Sequence, residues 1–250
     1  MSRNFQLLRE LWKEEVLLSR LGDGDSSPST ADSGHSVLAI RVEKPVQDEL
    51  IQFVQRVFVF ANSHAPRAIV FTSAQGNGSS EICSQAARVL AAQGSGSVCI
   101  VDANQRTHLL HQLFGVADSP GLADAMARPG PIKESAKRLD GRNLWLAPAG
   151  WCANGAQGLL ASDRLRARFQ ELRDGFDYVL IDAPPVNSSA DAVLLGQMAD
   201  GVILVLEANS TRRETARTAK ETLEGGNVKL LGAILNNRTF PIPEALYRRL

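Results

Sequence analysis

The sequence is poor in cysteine and carries no excess charge of either sign. Three of its 250 residues are cysteines, and Lys plus Arg balance Asp plus Glu at 27 each. An odd number of scattered cysteines (Cys83, Cys99 and Cys152) excludes a disulfide framework and suits reduced thiols in a cytoplasmic protein. A formal net charge of zero gives no sign of the basic surface with which nucleic-acid-binding proteins neutralise phosphates.

Long apolar runs are also missing. No stretch approaches the roughly 20 apolar residues of a membrane-spanning helix, and the first residues lack the apolar segment of a signal peptide. The chain is nevertheless 44% hydrophobic and long enough to bury a full core. We therefore expect a cytoplasmic protein that does not itself span a membrane, built around one large α/β domain.

Composition divides the chain into three unequal parts. Residues 1–21 carry apolar side chains near helical spacing and predict an amphipathic N-terminal helix, which either folds back on the main domain or docks on a partner. Residues 22–36 are almost devoid of apolar side chains and rich in Gly, Ser and Asp, which predicts a flexible linker. Residues 37–250 are predicted to form the main domain.

In the main domain, short apolar and β-branched runs alternate with helical patterns. Continuous apolar strands separated by helices indicate a parallel sheet that is covered on both faces. The predicted fold class is therefore α/β, a three-layer αβα sandwich with a mostly parallel sheet. The predicted strands are 68–73, 97–102, 144–147, 178–182, 202–206 and 230–235. The predicted helices are 47–60, 80–93, 107–113, 121–127, 162–173, 190–198 and 211–223.

A glycine-rich turn lies between the first of these strands and the next helix, which is where a P-loop is found. Backbone N–H groups of such a loop point at phosphate oxygens, and glycines at 76 and 78 permit the close approach. Ser80 occupies the position of the hydroxyl that binds Mg²⁺. The lysine that grips the β- and γ-phosphates is missing, and Ser79 stands in its place. The predicted nucleotide-binding residues of the loop are Gly76, Asn77, Gly78, Ser79, Ser80 and Glu81.

Two further strands end in a carboxylate, Asp102 in one and Asp182 in the other. Taken singly, each would more often be a helix cap or a turn former. Two acids at strand ends beside a phosphate loop instead form a hard-oxygen cradle for a Mg²⁺-bound nucleotide. Because the loop and both acids occur in this order, the sequence predicts a P-loop nucleotide site.

A Rossmann-type dinucleotide site is a competing interpretation, because Gly76-x-Gly78 follows a strand and Asp102 ends the next strand. It fails at the third glycine of that fingerprint, whose place is taken by Glu81, and it leaves Asp182 without a role. Partition-type ATPases are another alternative. They would carry a lysine in the loop and a surface for membrane or DNA, and neither is visible in the sequence.

The chain resembles the cytoplasmic domain of bacterial tyrosine kinases (BY-kinases) of capsule and exopolysaccharide assembly, a branch of the deviant-Walker P-loop ATPases. The resemblance covers residues 45–238 and is carried by the segments 101–106, 176–185 and 231–236, besides the loop. It implies that Asp102 is the general base or a Mg²⁺-organising carboxylate and Asp182 the metal-side carboxylate, both catalytic if the enzyme is active. It also implies that Ser80, Asp102 and Asp182 hold Mg²⁺ and that Asn236 contacts adenine.

The loop departs from the pattern of that family in two positions. Ser79 replaces the lysine, and Glu81 takes the position of the second hydroxyl residue. A carboxylate at a helix N-terminus is favoured by the helix dipole, so Glu81 would compete with phosphate for the N–H groups of the loop. We therefore expect Mg-ATP or ADP to bind weakly or not at all.

Two departures lie outside the loop. The family's oligomerisation motif pairs a glutamate with two arginines, and the corresponding residues here are Glu49, Gln52 and Gln55. Without the two arginine charges, we expect a monomer or a weak dimer. Active members end in a tyrosine cluster, whereas this sequence has Tyr247 alone near its end.

These departures favour a degenerate BY-kinase-like pseudokinase that regulates or scaffolds exopolysaccharide or capsule biosynthesis and export. The alternative is an active ATP-dependent protein-tyrosine autokinase of the same system. The resemblance implies a membrane polysaccharide co-polymerase or export component as the partner, which would recruit the chain to the inner face of the membrane. No nucleic-acid partner is expected.

Overall fold

The described residues form one eight-stranded sheet that carries helices on both faces. The computed structural model describes residues 16–18, 44–59, 65–76, 78–93, 96–117, 119–127, 130–139, 143–150 and 163–237. The strands are β1 (Val16–Leu18), β2 (Ala68–Ser73), β3 (Val98–Asp102), β4 (Lys137–Leu139), β5 (Leu144–Ala147), β6 (Tyr178–Asp182), β7 (Gly201–Glu207) and β8 (Leu230–Asn236). The helices are α1 (Lys44–Val54, continued by a π-helical turn Gln55–Val59), α2 (Gly78–Ala92), α3 (Leu110–Leu113), α4 (Leu122–Ala127), α5 (Asp163–Gly175), α6 (Asp191–Met198) and α7 (Arg213–Gly225).

Side chains along each central strand alternate between two hydrophobic clusters, one on each face of the sheet. In β2, Ala68 and Val70 belong to one cluster, whereas Ile69 and Phe71 belong to the other. All four are fully buried, as expected for a strand covered on both sides. The first cluster includes side chains of α4 to α7 and the second includes side chains of α1 to α3. The predicted three-layer sandwich is confirmed, and the six predicted strands are all present.

The strand order is β1–β8–β7–β2–β6–β3–β5–β4, and every pair is parallel except β4 with β5. The order places β6 between β2 and β3, so the loop after β2 lies next to the end of β6 and one strand away from the end of β3. The register of β3 and β6 makes Asp102 and Asp182 direct partners. The predicted site residues at the ends of these strands therefore lie together at the carboxyl edge of the sheet.

Two strands were not predicted, and one of them corrects the N-terminal helix. Val16–Leu18 form β1, which pairs in parallel with β8, so the prediction of a helix over residues 1–21 is wrong for these three residues. The free edge of β8 offers backbone partners that local periodicity does not reveal. The rest of that predicted helix and the linker 22–36 lie outside the described residues. The other, β4, was missed because it is only three residues long and exposes Lys137 and Arg138.

The amino edge of the sheet, where β2 and β7 begin, is held by charged side chains. Asp200 accepts hydrogen bonds from the backbone N–H groups of Arg67 (2.7 Å) and Ala68 (2.8 Å) and forms an ion pair with Arg173 (2.9 Å). The Arg67 guanidinium in turn donates to one backbone carbonyl in the last turn of α5 and to two in the turn before β6. Next to it, Asp177 accepts from both the N–H (2.7 Å) and the hydroxyl (2.8 Å) of Ser97.

Candidate functional site

Positive φ angles are expected at both glycines of the loop after β2, but only Gly76 has one, because Gly78 already begins α2. Gly76 has a φ of +75°, which a residue with a side chain rarely adopts, and its carbonyl accepts a 2.7 Å hydrogen bond from the Ser73 hydroxyl. A Cβ atom at Gly78 would lie 3.3 Å from Nδ2 of Asn236. The end of β8 therefore closes one side of the loop, and a larger residue at position 78 would push Asn236 away. Asn77 lies outside the described residues.

Both serines after the loop point at the acid of β6. The Ser79 hydroxyl donates to Oδ1 of Asp182 at 3.0 Å, and the Ser80 hydroxyl donates to Oδ2 at 2.5 Å. All three residues are fully buried. The residue that replaces the loop lysine therefore binds a carboxylate of its own chain, and it does not extend into the space where phosphates would lie.

Asp102 lies beside Asp182 and is also buried, with 1% of its surface exposed. Burial is the main cause that raises the pKa of Asp182 to about 8, and the charge of Asp102 raises it further. The two serine hydroxyls lower this pKa, but only in part. At neutral pH the Asp182 carboxyl therefore keeps its proton. A divalent cation between the acids would reverse this, because an opposite charge favours the ionised form.

Asp102 shapes the loop that follows β3. Its carboxylate accepts hydrogen bonds from the backbone N–H groups of Asn104 (3.1 Å) and Leu110 (3.4 Å), the latter at the start of α3. By binding backbone amides of its own loop, Asp102 acts as the turn former that the sequence allowed as an alternative. It also lies beside Asp182, so that the two carboxyl groups form a buried acidic pair.

Asn104 was part of a matching segment in the sequence, but it was not predicted as a site residue. Its side chain is fully buried, and neither its oxygen nor its nitrogen has a hydrogen-bond partner. An unsatisfied buried polar group costs about 1–3 kcal/mol, so such groups usually have a water or ligand partner. Its position two residues after the acid at the strand end is the sequence signal that could have identified it.

Glu81 and Asn236 lie on either side of the loop. Glu81 is partly buried in the first turn of α2, and burial raises its pKa. Asn236 is buried, and its Oδ1 accepts a hydrogen bond from the Asn237 N–H at 2.9 Å, which leaves Nδ2 facing Gly78. The structure thus brings the described predicted site residues together at one edge of the sheet.

The loop between β6 and α6 forms the rim of the site and is held from three sides. Toward β2, the Thr72 hydroxyl donates to the Pro184 carbonyl at 2.8 Å. Toward β3, the Arg106 guanidinium donates to the Ser188 carbonyl at 3.2 Å. Toward α7, the Asn187 amide donates to a backbone carbonyl at 3.0 Å. These contacts fix the rim relative to the phosphate loop.

Comparison with known proteins finds a matching family model and several relatives. The sequence model of the family described as cellulose biosynthesis protein BcsQ matches residues 70–224. The chain is 29% identical over 205 residues to the tyrosine-protein kinase YwqD of Bacillus subtilis, which covers 81% of this chain and 86% of that protein.

Among solved structures, the chimerical protein CapA2B2 superposes with a TM-score of 0.79 at 22% identity, over 94% of this chain and 99% of that one. The BceF tyrosine kinase domain superposes with a TM-score of 0.66 at 28% identity, over 77% and 76% of the two chains. Among the described helices, none is long and apolar enough to cross a bilayer.

Proposed function

Because this chain belongs to the cellulose biosynthesis protein BcsQ family and, within the P-loop proteins, to the bacterial tyrosine kinase domains, we propose that it is a degenerate kinase module. In this proposal it binds nucleotide weakly, does not transfer phosphate at a useful rate, and regulates or scaffolds exopolysaccharide or capsule assembly. Cellulose is itself a polysaccharide, which supports this choice of system.

The hydrogen bond from Ser79 to Asp182 is the observation that carries the proposal. In phosphoryl transfer, the loop lysine stabilises charge on the β- and γ-phosphates. Ser79 has no charge, is fully buried and donates to Asp182 at 3.0 Å. Losing a charge-assisted hydrogen bond of about 1.5–3 kcal/mol weakens nucleotide binding roughly 10- to 150-fold. The rate suffers further, because the transition state spreads more charge over the phosphate oxygens.

The remaining residues fit a Mg²⁺-nucleotide. No heavy atom lies within 4 Å of the Cβ position of Gly76, which leaves space for phosphate against the backbone there, and the buried Asn104 amide lacks a partner. Bound Mg²⁺ would neutralise phosphate charge, with the Ser80 hydroxyl and the Asp102 and Asp182 carboxylates as its protein ligands. In the part of the chain that the structure describes, no group of three or more histidine, cysteine or carboxylate side chains forms a self-sufficient metal site. The cation would therefore depend on the nucleotide, which is consistent with weak binding.

The decisive experiment measures phosphate incorporation and nucleotide affinity on the same preparation. We expect no tyrosine autophosphorylation with labelled ATP and Mg²⁺, and weak ATP binding by calorimetry. The double change Ser79→Lys plus Glu81→Thr should raise ATP affinity at least tenfold, since it restores the lysine and removes a carboxylate. Incorporation by the unmodified chain that is abolished by Asp102→Asn would contradict the proposal.

An active tyrosine autokinase is the alternative, and the observation in its favour is the Asp102–Asp182 pair, which retains both carboxylates in register. In either case we propose a cytoplasmic chain recruited by a membrane polysaccharide co-polymerase or export component. We also propose a monomer or weak dimer, because Gln52 on α1 and Gln55 in the π-helical turn provide no positive charge. Light scattering at micromolar concentration that showed a stable octamer would overturn this last point.

A further inference from the structure

A positively charged side chain lies in the loop that follows β3. Arg106 follows Asp102 by four residues in the loop after β3, and its side chain is exposed. Its Nη2 donates to the Ser188 carbonyl, in the loop after β6, at 3.2 Å. The guanidinium therefore bridges the two loops that leave the sheet directly after Asp102 and Asp182.

Other cations of the loop and its flanking elements are directed elsewhere. Between Phe71 and Asp102, the sequence contains one arginine, Arg88, and no lysine. The guanidinium of Arg88 donates to the Leu113 carbonyl at 2.7 Å and lies 4.5 Å from the centre of the Phe114 ring. It is thus held against α3 and its C-terminal turn, on the outer side of α2.

We propose that Arg106 is a phosphate-binding cation of this site and offsets part of the electrostatic loss caused by the absent loop lysine. The proposal rests on the nucleotide binding proposed above. A guanidinium is always charged and presents a planar fork of N–H donors that matches phosphate oxygens. The hydrogen bond to Ser188 involves a neutral carbonyl and a single Nη2, so a phosphate can compete for the same fork. The exposure of the side chain gives an incoming nucleotide access to it.

A purely structural role predicts a different pattern. If Arg106 only ties the two loops together, its loss affects every nucleotide equally, because the loops carry the whole site. If it binds phosphate, the loss grows with the number of phosphates. Affinities for AMP, ADP and ATP with Mg²⁺ therefore distinguish the two roles without any measurement of activity.

The test compares Arg106→Gln with the matched control Arg166→Gln by calorimetry. Arg166 is also exposed and lies on α5 at the cavity of about 640 Å³ near the amino edge, so both variants lose one positive charge. We expect Arg106→Gln to weaken ATP binding 10- to 100-fold, ADP binding less, and AMP binding less than threefold. Arg166→Gln should change each affinity less than twofold, and both variants should melt within about 2 °C of the unmodified chain.

A second substitution tests the replacement directly. Ser79→Lys should restore ATP affinity to Arg106→Gln, and its gain should be larger there than in the unmodified chain, because one cation then substitutes for the other. Equal losses for the three nucleotides, or equal ATP affinities of Arg106→Gln and Arg166→Gln, would overturn the role of Arg106 alone. Absence of any nucleotide binding by the unmodified chain would overturn the proposed nucleotide binding together with it.

Discussion

The two edges of the sheet use the same side chain, aspartate, in opposite ways. At the amino edge, burial alone would raise the pKa of Asp200, but hydrogen bonds from Ala68, Arg173 and Arg67 hold it below its usual value. The Ser97 N–H and hydroxyl likewise lower the pKa of Asp177. At the carboxyl edge, burial and the charge of Asp102 raise the pKa of Asp182 to about 8. At the amino edge, hydrogen bonds stabilise the ionised carboxylates. At the carboxyl edge, the Asp182 carboxyl group is costly to ionise.

The difference separates a carboxylate that the fold stabilises in its charged form, Asp200, from one that the fold stabilises in its protonated form, Asp182. Asp200 joins the starts of β2 and β7 to α5, so its charge contributes to the stability of the fold. The Asp102–Asp182 pair places two carboxyl groups side by side in a buried space, an arrangement that a cation would stabilise. Acids with raised pKa values and unsatisfied neighbours such as Asn104 are typical of binding sites.

The largest effect should come from Asp200→Ala at the amino edge. The change leaves the N–H groups of Arg67 and Ala68 without their acceptor and removes the ion-pair partner of Arg173. We expect a loss of about 2–4 kcal/mol in the free energy of unfolding, measured by urea denaturation at pH 7. Because the pKa of Asp200 is lowered in the folded state, this contribution exists above pH 3.8 and is lost as the pH falls through the folded value. A penalty that stayed constant into strong acid would contradict this account.

Replacing the acid at the carboxyl edge should stabilise the protein, whereas replacing Asp200 destabilises it. Asp182→Asn removes a buried ionisable group, so we expect the free energy of unfolding to rise by at least about 1 kcal/mol at pH 9. The native pKa of about 8 lies above the unfolded value of 3.8, so stability from the bound proton is complete below pH 3.8 and is lost as the pH rises through 8. The unmodified chain should therefore lose stability relative to Asp182→Asn between pH 4 and pH 8. Melting temperatures of both proteins across that range test the sign, and parallel curves would refute it.

The smallest effect concerns the carboxylate beside the loop. Burial raises the pKa of Glu81, which indicates that its charge is poorly solvated, and it would repel phosphate. Glu81→Gln should therefore strengthen ATP binding about three- to tenfold at pH 8, and the gain should shrink as the pH falls, because burial raises the pKa of Glu81 and protonation removes the repelling charge. The control Glu214→Gln, in the exposed first turn of α7, should leave the affinity unchanged. An unchanged affinity for Glu81→Gln would mean that Glu81 does not face the phosphates.

The fold was largely predictable because its signals are local. Each central strand is a continuous apolar run, and the turns that follow Asp102 and Asp182 mark the carboxyl edge in the sequence. The unpaired amide of Asn104 was not predictable, because burial and hydrogen bonding depend on neighbours from the whole fold. The pairing of Val16 with Ala233 was missed for the same reason, since a strand of three residues has no periodicity to recognise.

The proximity of Gly78 and Asn236 matters for the order in which the parts of the pocket are synthesised. Most of the domain's sequence lies between these two residues, yet the Asn236 amide lies 3.3 Å from the Cβ position of Gly78. At typical synthesis rates of ~5–20 residues per second, roughly 10–30 s separate the two. The glycine turn is therefore among the first parts of the pocket to be synthesised. The strands β6 and β8, which complete the pocket, are synthesised later. Until β8 has been made, the nascent chain therefore lacks the side chain that closes one side of this loop.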